Sequence, residues 1–370
     1  MTARVVLLPG DGVGPEVVDA AVRALRAASD LDVEYETLLV GGAAIDAYGM
    51  PLRPEDLERC RTADAVLLGA VGGPKWDDLP IESRPERALL QLRSELGVGI
   101  NLRPVRWTPA GGERSPLKVE VARGADIAFI RELTGGVYFG RPSYVRGEPP
   151  AREAVDTGYY AEAQIVAVLD FAYDLARRRR GKVTSVDKAN VMNTSRLWRQ
   201  VAGEYARQHP EVALEHALVD SFAMSLVQEP TRYDVVVTEN LFGDILTDLA
   251  SVVAGSLGVL PSASLRPEGG GRRFGLYEPV HGSAPTIAGQ GVANPTGCIL
   301  SAALMLEWSL DQPEAAERLR AAVESVAAAG TLTADLGGSA GTQSVTQEII
   351  KTLDGMRGAR ERRNIRHHVA

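Results

Sequence analysis

Short β-forming runs and helical patterns alternate along this chain, and few architectures accept that alternation. Residues 5–8 are a β run that breaks at Pro9-Gly10, and residues 16–28 then repeat apolar positions at helical spacing. Residues 63–68 form a second run, which ends in a glycine-rich loop at 69–73. Runs at 182–185 and 233–238 also lead into helical patterns. Strand, loop and helix repeated in this way predict an α/β fold with a mostly parallel sheet. Residues 135–150 break the pattern with aromatics, glycine and proline, and read as an extended arm or hairpin. Residues 162–180 read as a long helix ending in four arginines, cations suited to a helix C-terminus ahead of a Gly181 cap. The polar, basic residues 354–370 read as a frayed tail.

At 370 residues the chain has material for about two domains. It is 45% hydrophobic and 24% charged, so a packed core is expected rather than disorder. A net charge of −8 supplies no general attraction for nucleic acid or an anionic membrane, and neither is expected as a partner. Cys60 and Cys298 are too few and too far apart for a disulfide framework or a zinc cluster, and they fit a reducing compartment. With no signal-like segment and no apolar run of membrane length, a cytoplasmic location is expected.

The loop Pro9-Gly-Asp-Gly-Val-Gly-Pro-Glu16 lies between a strand and a helix. It fails the dinucleotide fingerprint, because Pro15 stands where that pattern needs glycine, and it lacks the lysine of a P-loop. A tight strand-to-helix turn is the plain reading. Asp244 and Asp248 stand four apart in a helical pattern and share a face. They suit either a solvated acidic face or a hard divalent cation, with Asp220 as a possible third ligand. Arg93, Arg103 and Arg131 come from separate segments. Their planar forks could clamp carboxylates, and each could equally be a structural arginine. Lys188 follows a β run and is either ion-paired, to Asp187 or a neighbour, or a base. Tyr138 is a packing residue or a proton donor. His281 has a glycine-rich setting, whereas His209, His216, His367 and His368 read as surface residues.

The order of these segments carries more than any one of them. Leu8-Pro-Gly-Asp-Gly-Val-Gly-Pro-Glu16, Leu67-Leu-Gly-Ala-Val-Gly-Gly-Pro74, Arg131-Glu-Leu-Thr-Gly-Gly136 and Val186-Asp-Lys-Ala-Asn190 are followed by Phe242-Gly-Asp-Ile-Leu246, Gly255-Ser-Leu-Gly258 and Glu278-Pro-Val-His-Gly-Ser-Ala-Pro285. The set resembles the β-hydroxyacid oxidative decarboxylases, the isocitrate/isopropylmalate dehydrogenase family. The resemblance implies a two-domain α/β fold that is not the Rossmann fold. One domain would comprise residues 1–99 and 256–370, and the other residues 100–255, with the arm and a homodimer contact. The active site would lie between them and borrow residues from the partner subunit.

By the same resemblance, Arg93, Arg103 and Arg131 clamp the malate carboxylates. Asp244, Asp248 and the partner's Asp220 hold Mg²⁺ or Mn²⁺, with Asp220 also near the substrate. The partner's Lys188 is the implied base and Tyr138 the implied acid. Val13, Glu278, His281, Gly282, Ser283, Ala284, Asn294 and Asp335 fall in the segments that bind NAD. Glu86, Leu89, Leu90 and Val191 would line the pocket for the group on C3. Two leucines and a valine suit a branched alkyl group, and a third carboxylate would be desolvated there at large cost. The implied substrate is therefore 3-isopropylmalate rather than isocitrate, with D-malate, tartrate and other alkylmalates as alternatives. A silent regulatory subunit, which the family also contains, would be expected to have lost a metal aspartate, the lysine or the tyrosine. Thr286 departs from the aspartate that NAD-dependent members of the family usually place after Ala284-Pro285, so NAD is expected, bound more weakly or with a relaxed preference.

Overall fold

The computed structural model describes residues 2–267 and 272–368. Its strands are β1 (Ala3–Gly10), β2 (Val33–Thr37), β3 (Ala65–Ala70), β4 (Ile100–Arg106), β5 (Asp126–Glu132), β6 (Tyr144–Arg146), β7 (Glu153–Val155), β8 (Lys182–Asp187), β9 (Ala213–Leu218), β10 (Val235–Thr238), β11 (Pro261–Leu265) and β12 (Gly275–Pro279). Ten of them form one sheet in the order β2-β1-β3-β12-β11-β4-β5-β10-β8-β9. Both flanks pair in parallel. The pairs β12–β11, β11–β4 and β4–β5, in the middle, are antiparallel. The alternation in sequence thus yields the expected mostly parallel sheet, in an order that is not the Rossmann order.

Helices cover both faces, which is why parallel strands such as β3 are apolar throughout: all six of its residues are buried. The helix Gly14–Ala28 has Pro15 and Glu16 in its first turn and Arg26 in its last, as the helix dipole favours. It buries Val17, Ala21, Leu25 and Ala28 at three- and four-residue steps. The helix Thr296–Trp308 is apolar on all sides and is buried between β11 and β12, the first helix and the helix Pro313–Ala328.

The loop after β1 is the strand-to-helix turn expected, but its aspartate does more than turn the chain. Asp11 is buried and accepts backbone N–H bonds from Gly42, Ala43 and Gly72, each at 2.8 Å. One side chain therefore pins three loops at the ends of the first strands. Asp11→Ala leaves three largely buried donors without their acceptor and is expected to cost about 3–5 kcal/mol. Urea unfolding checks this, and a loss under about 1 kcal/mol would contradict the anchoring role.

The segment read as an arm is a hairpin of β6 and β7, with Tyr144 opposite Val155. The arginine run is more than a set of cations at a helix end. Arg179 bonds to the buried Asp234 and to Asp126, and Arg180 bonds to backbone carbonyls of Thr231 and Tyr233. Gly181 has φ +72° and its N–H returns to Ala176, as a cap requires. The expected frayed tail is instead part of the last helix, Thr342–His368, and residues 369 and 370 lie outside the described residues. His209 and His216 are half-buried rather than surface residues, and the side chains of His367 and His368 lie outside the described part. Among the described residues no helix is long and apolar enough to cross a membrane.

Candidate active site

Strand register explains why arginines distant in sequence share one place. In the β4–β5 pair Asn101 stands opposite Arg131, and Arg103, two residues on, points to the same face. Arg93 comes from the helix Glu86–Glu95. Glu86, Leu89, Leu90 and Arg93 are spaced i, i+3, i+4 and i+7, so one helix face carries the guanidinium and the residues read as an alkyl pocket. Leu89 and Leu90 are half-buried and Glu86 is exposed.

All three arginines are buried, and Arg103 and Arg131 both reach Asp244. Arg93 Nη2 donates to Glu278 at 2.7 Å, while its buried Nε has no partner among the described residues. Arg103 donates through Nε to Asn101 (2.8 Å) and through Nη1 to Thr247 (2.7 Å). Arg131 bonds Asn240 through Nε and Nη2 and Asp244 through Nη1. Burial, together with the charges of Arg131 and Arg93, lowers the Arg103 pKa to about 10. Three like charges gathered out of water favour an anionic ligand.

The helix Asn240–Ala254 supplies the anions. Its N-cap is Glu239, which accepts from Phe242 N–H at 2.7 Å. It ends at Gly255, whose φ of +86° and contact with Gly111 O leave no room for a side chain. Asp244 and Asp248 share a face as expected. Burial would raise the Asp244 carboxyl, but Arg131 and Arg103 overcome this and leave it below its ordinary value. Asp248 is raised by burial, and Asp244 adds to the rise against the pull of Arg103. A divalent cation would reverse that penalty, so this carboxylate pair fits Mg²⁺ or Mn²⁺. Tyr138 donates its hydroxyl to Asp244 at 2.9 Å.

A buried support lies beneath these groups, and the sequence reading missed it. Asn240 also donates to Gly135 O, and Tyr160 accepts from the Asn240 N–H while donating to Glu239. Glu132 accepts from Thr134 and Gly135 N–H and from the Thr134 hydroxyl, fixing the loop that leads to Tyr138. The only sequence signal was position, since Glu132 and Asn240 each adjoin a motif residue. Burial raises the Glu132 pKa. A raised folded value means that stability from this group is present below the unfolded value of about 4.3 and is lost as pH rises through the folded one. Stability of Glu132→Gln relative to the parent is therefore expected to improve as pH rises from about 4 towards 7. Urea unfolding across that range reads the trend, and a relative stability that falls with pH would refute the sign.

The cofactor-side residues form a second group. Gly12 has φ +60°, and a Cβ there would lie 1.9 Å from Ser283 O. Val13 N–H donates to that same oxygen at 2.8 Å, so the first loop docks on residues 282–284. Ala284 holds a left-handed conformation, φ +41°. His281 bonds the Gly282 carbonyl through Nδ1, and burial lowers its pKa. Its buried Nε2 has no partner among the described residues, as suits a side chain that meets a ligand. Asp335 accepts from Asn294 at 2.9 Å and from Ser256. Thr286 is exposed. These features fit a bound dinucleotide.

Among the described residues, Lys188 and Asp220 are bonded to neither group. They pair with one another at 2.9 Å, while the neighbouring Asp187 is taken by Arg199. Val191 joins them, its N–H bonded to Lys188 O and the residue 65% exposed. Among the described residues, no ion pair or hydrogen bond links them to Asp244 or Asp248, and no three metal-binding side chains gather in one place. An apolar cavity of about 130 Å³, lined by Leu300, Leu304, Val323 and Leu336 and reaching Asn294, holds none of the clamp or carboxylate residues.

Comparison with known proteins accords with this geometry. The family described as isocitrate/isopropylmalate dehydrogenase matches residues 4–353. A 3-isopropylmalate dehydrogenase of Heyndrickxia coagulans is 52% identical over 361 residues, covering 96% of this chain and 97% of its own. One from Bacillus subtilis is 50% identical over 357 residues, covering 94% and 96%. A crystal structure of isocitrate dehydrogenase from Methylococcus capsulatus aligns with a TM-score of 0.84 at 33% identity, over 95% of this chain and 99% of that one. A β-decarboxylating dehydrogenase from Thermococcus kodakarensis aligns with a TM-score of 0.80 at 38% identity, over 97% and 98%. The chain belongs to the isocitrate/isopropylmalate dehydrogenase family.

Proposed function

We propose that the protein catalyses the metal- and NAD-dependent oxidative decarboxylation of (2R,3S)-3-isopropylmalate to 4-methyl-2-oxopentanoate and CO₂, in leucine biosynthesis. The observation that carries this reading is the convergence of three buried arginines beside an aspartate pair, with Leu89 and Leu90 on the same helix face as Arg93. The arginines bind the two carboxylates of the substrate, and the leucines take its isopropyl group. Each methylene buried there contributes about 0.8 kcal/mol.

Asp244 and Asp248, with the partner subunit's Asp220, would hold the divalent ion. Bound metal supplies Lewis acidity towards the 2-hydroxyl, and bound NAD supplies the hydride acceptor. Lys188 of the partner takes the hydroxyl proton at Nζ, and Tyr138 returns a proton to C3 from its hydroxyl. A homodimer is part of this reading, and it is supported by Lys188 and Asp220 pairing with one another while, among the described residues, neither is bonded to Asp244 or Asp248. The domains meet along β11 and β4, with residues 1–99 and 256–370 on one side and 100–255 on the other. The reading places the enzyme in the cytoplasm.

Initial rates of NADH and NADPH formation with 3-isopropylmalate, D-malate and isocitrate test the proposal, each with Mg²⁺, Mn²⁺ or chelator. The rate should be highest for 3-isopropylmalate with NAD and vanish with chelator. A preference for D-malate or isocitrate would overturn the substrate assignment. Thr286 lacks the negative charge that would repel a 2′-phosphate. Thr286→Asp is expected to raise the ratio of NADP to NAD dissociation constants about tenfold or more, read by quenching of protein fluorescence. An unchanged ratio would place the ribose elsewhere.

A further inference from the structure

We propose that Asn101 is a positioning residue for the substrate clamp, acting through Arg103 and tying it to the cofactor-side strand β11. The inference deepens the proposed function and rests on it. Asn101 is fully buried, at 0% exposure, between two partners of opposite kind. Its Oδ1 accepts from Arg103 Nε at 2.8 Å. Its Nδ2 donates to the Ser262 hydroxyl at 2.7 Å and the Ser264 hydroxyl at 3.2 Å, both buried on β11. The amide can sit only one way, because turning it over would set its N–H₂ against the Arg103 N–H.

The strand register places this amide at the seam of the sheet. On one side Asn101 pairs with Ser264 of β11, and on the other with Arg131 of β5. Beyond β11, Ser262 is opposite Glu278, which holds Arg93. Ser301 completes the link, donating to Glu278 O at 2.9 Å and accepting from Ser262 N–H. Arg103, Arg93 and the strand carrying Glu278 therefore share one buried polar chain. With Nε held by Asn101 and Nη1 by Thr247, the plane of the Arg103 guanidinium is fixed, and Nη2 keeps no partner among the described residues. A pre-set fork of this kind loses less freedom when a carboxylate arrives.

The test measures binding of 3-isopropylmalate and D-malate by calorimetry, in the presence of Mg²⁺, together with steady-state kinetics. Asn101→Ala is expected to weaken dicarboxylate binding about 10–100-fold, as loss of a charge-assisted contact does, and to leave kcat within about threefold. The gentler pair Ser262→Ala with Ser264→Ala, which leaves the amide N–H₂ only its 3.4 Å contact with Ala263 O, should weaken binding about 3–10-fold. In an Arg103→Gln background, Asn101→Ala should add less than about a twofold further loss. A residue that merely stabilised the fold would subtract equally in both backgrounds. Equal losses in both, or binding unchanged by either variant in a parent that binds, overturn this proposal alone. A parent that binds neither acid overturns the functional reading and this proposal with it.

Discussion

Replacing Lys188 with alanine is expected to lower kcat about 10²–10⁴-fold, with little change in the KM of the dicarboxylate. The basis is position and chemistry. Lys188 follows β8, at the end of the buried strand Lys182–Asp187, and the Asp187–Arg199 pair fixes the turn that presents it. Its one ion pair among the described residues is Asp220, an acid that the Lys188 charge holds below its ordinary pKa. Steady-state rates with saturating metal decide the matter, and exogenous primary amines should restore part of the lost kcat. A variant with normal kcat and raised KM would make Lys188 a binding residue instead.

The second large effect concerns the aspartate pair. Asp248→Asn should weaken activation by Mg²⁺ more than about 100-fold, since even outer partners of a metal site contribute 10–100-fold. The same change removes a carboxylate that is already costly to ionise, because burial and Asp244 both raise its pKa. The metal-free variant should therefore be at least as stable as the parent near neutral pH. Titration of activity against Mg²⁺, paired with urea unfolding in chelator, reads both halves. Loss of stability with metal activation intact would contradict the assignment.

How far the sequence discloses this site follows from what kind of interaction each residue uses. Local spacing placed Asp244 and Asp248 on one face, and the alternation of elements predicted the parallel flanks of the sheet. The shared face of Asn101, Arg103 and Arg131 depends on the β4–β5 register, which spacing along the chain does not encode. Asp11 looked like a turn residue because its acceptors' partners, Gly42, Ala43 and Gly72, lie about 30 to 60 residues away. Glu132 and Asn240 act by holding other groups, so nothing in their own local pattern marks them. The antiparallel centre of the sheet was likewise hidden, since β11 pairs with β4 across a long intervening stretch of chain.

The central claim is that one chain holds the clamp and two metal aspartates, and its partner supplies Lys188 and Asp220. Mixing two inactive variants tests it most directly. Lys188→Ala and Asp248→Asn proteins are unfolded together and refolded in equal amounts, and the NADH-forming rate on 3-isopropylmalate is measured. Random pairing makes half the dimers mixed, each with one intact site, so about a quarter of the parent activity should return. Activity no higher than the mean of the two variants alone, with dimers re-formed, would mean that the site is built within a single chain.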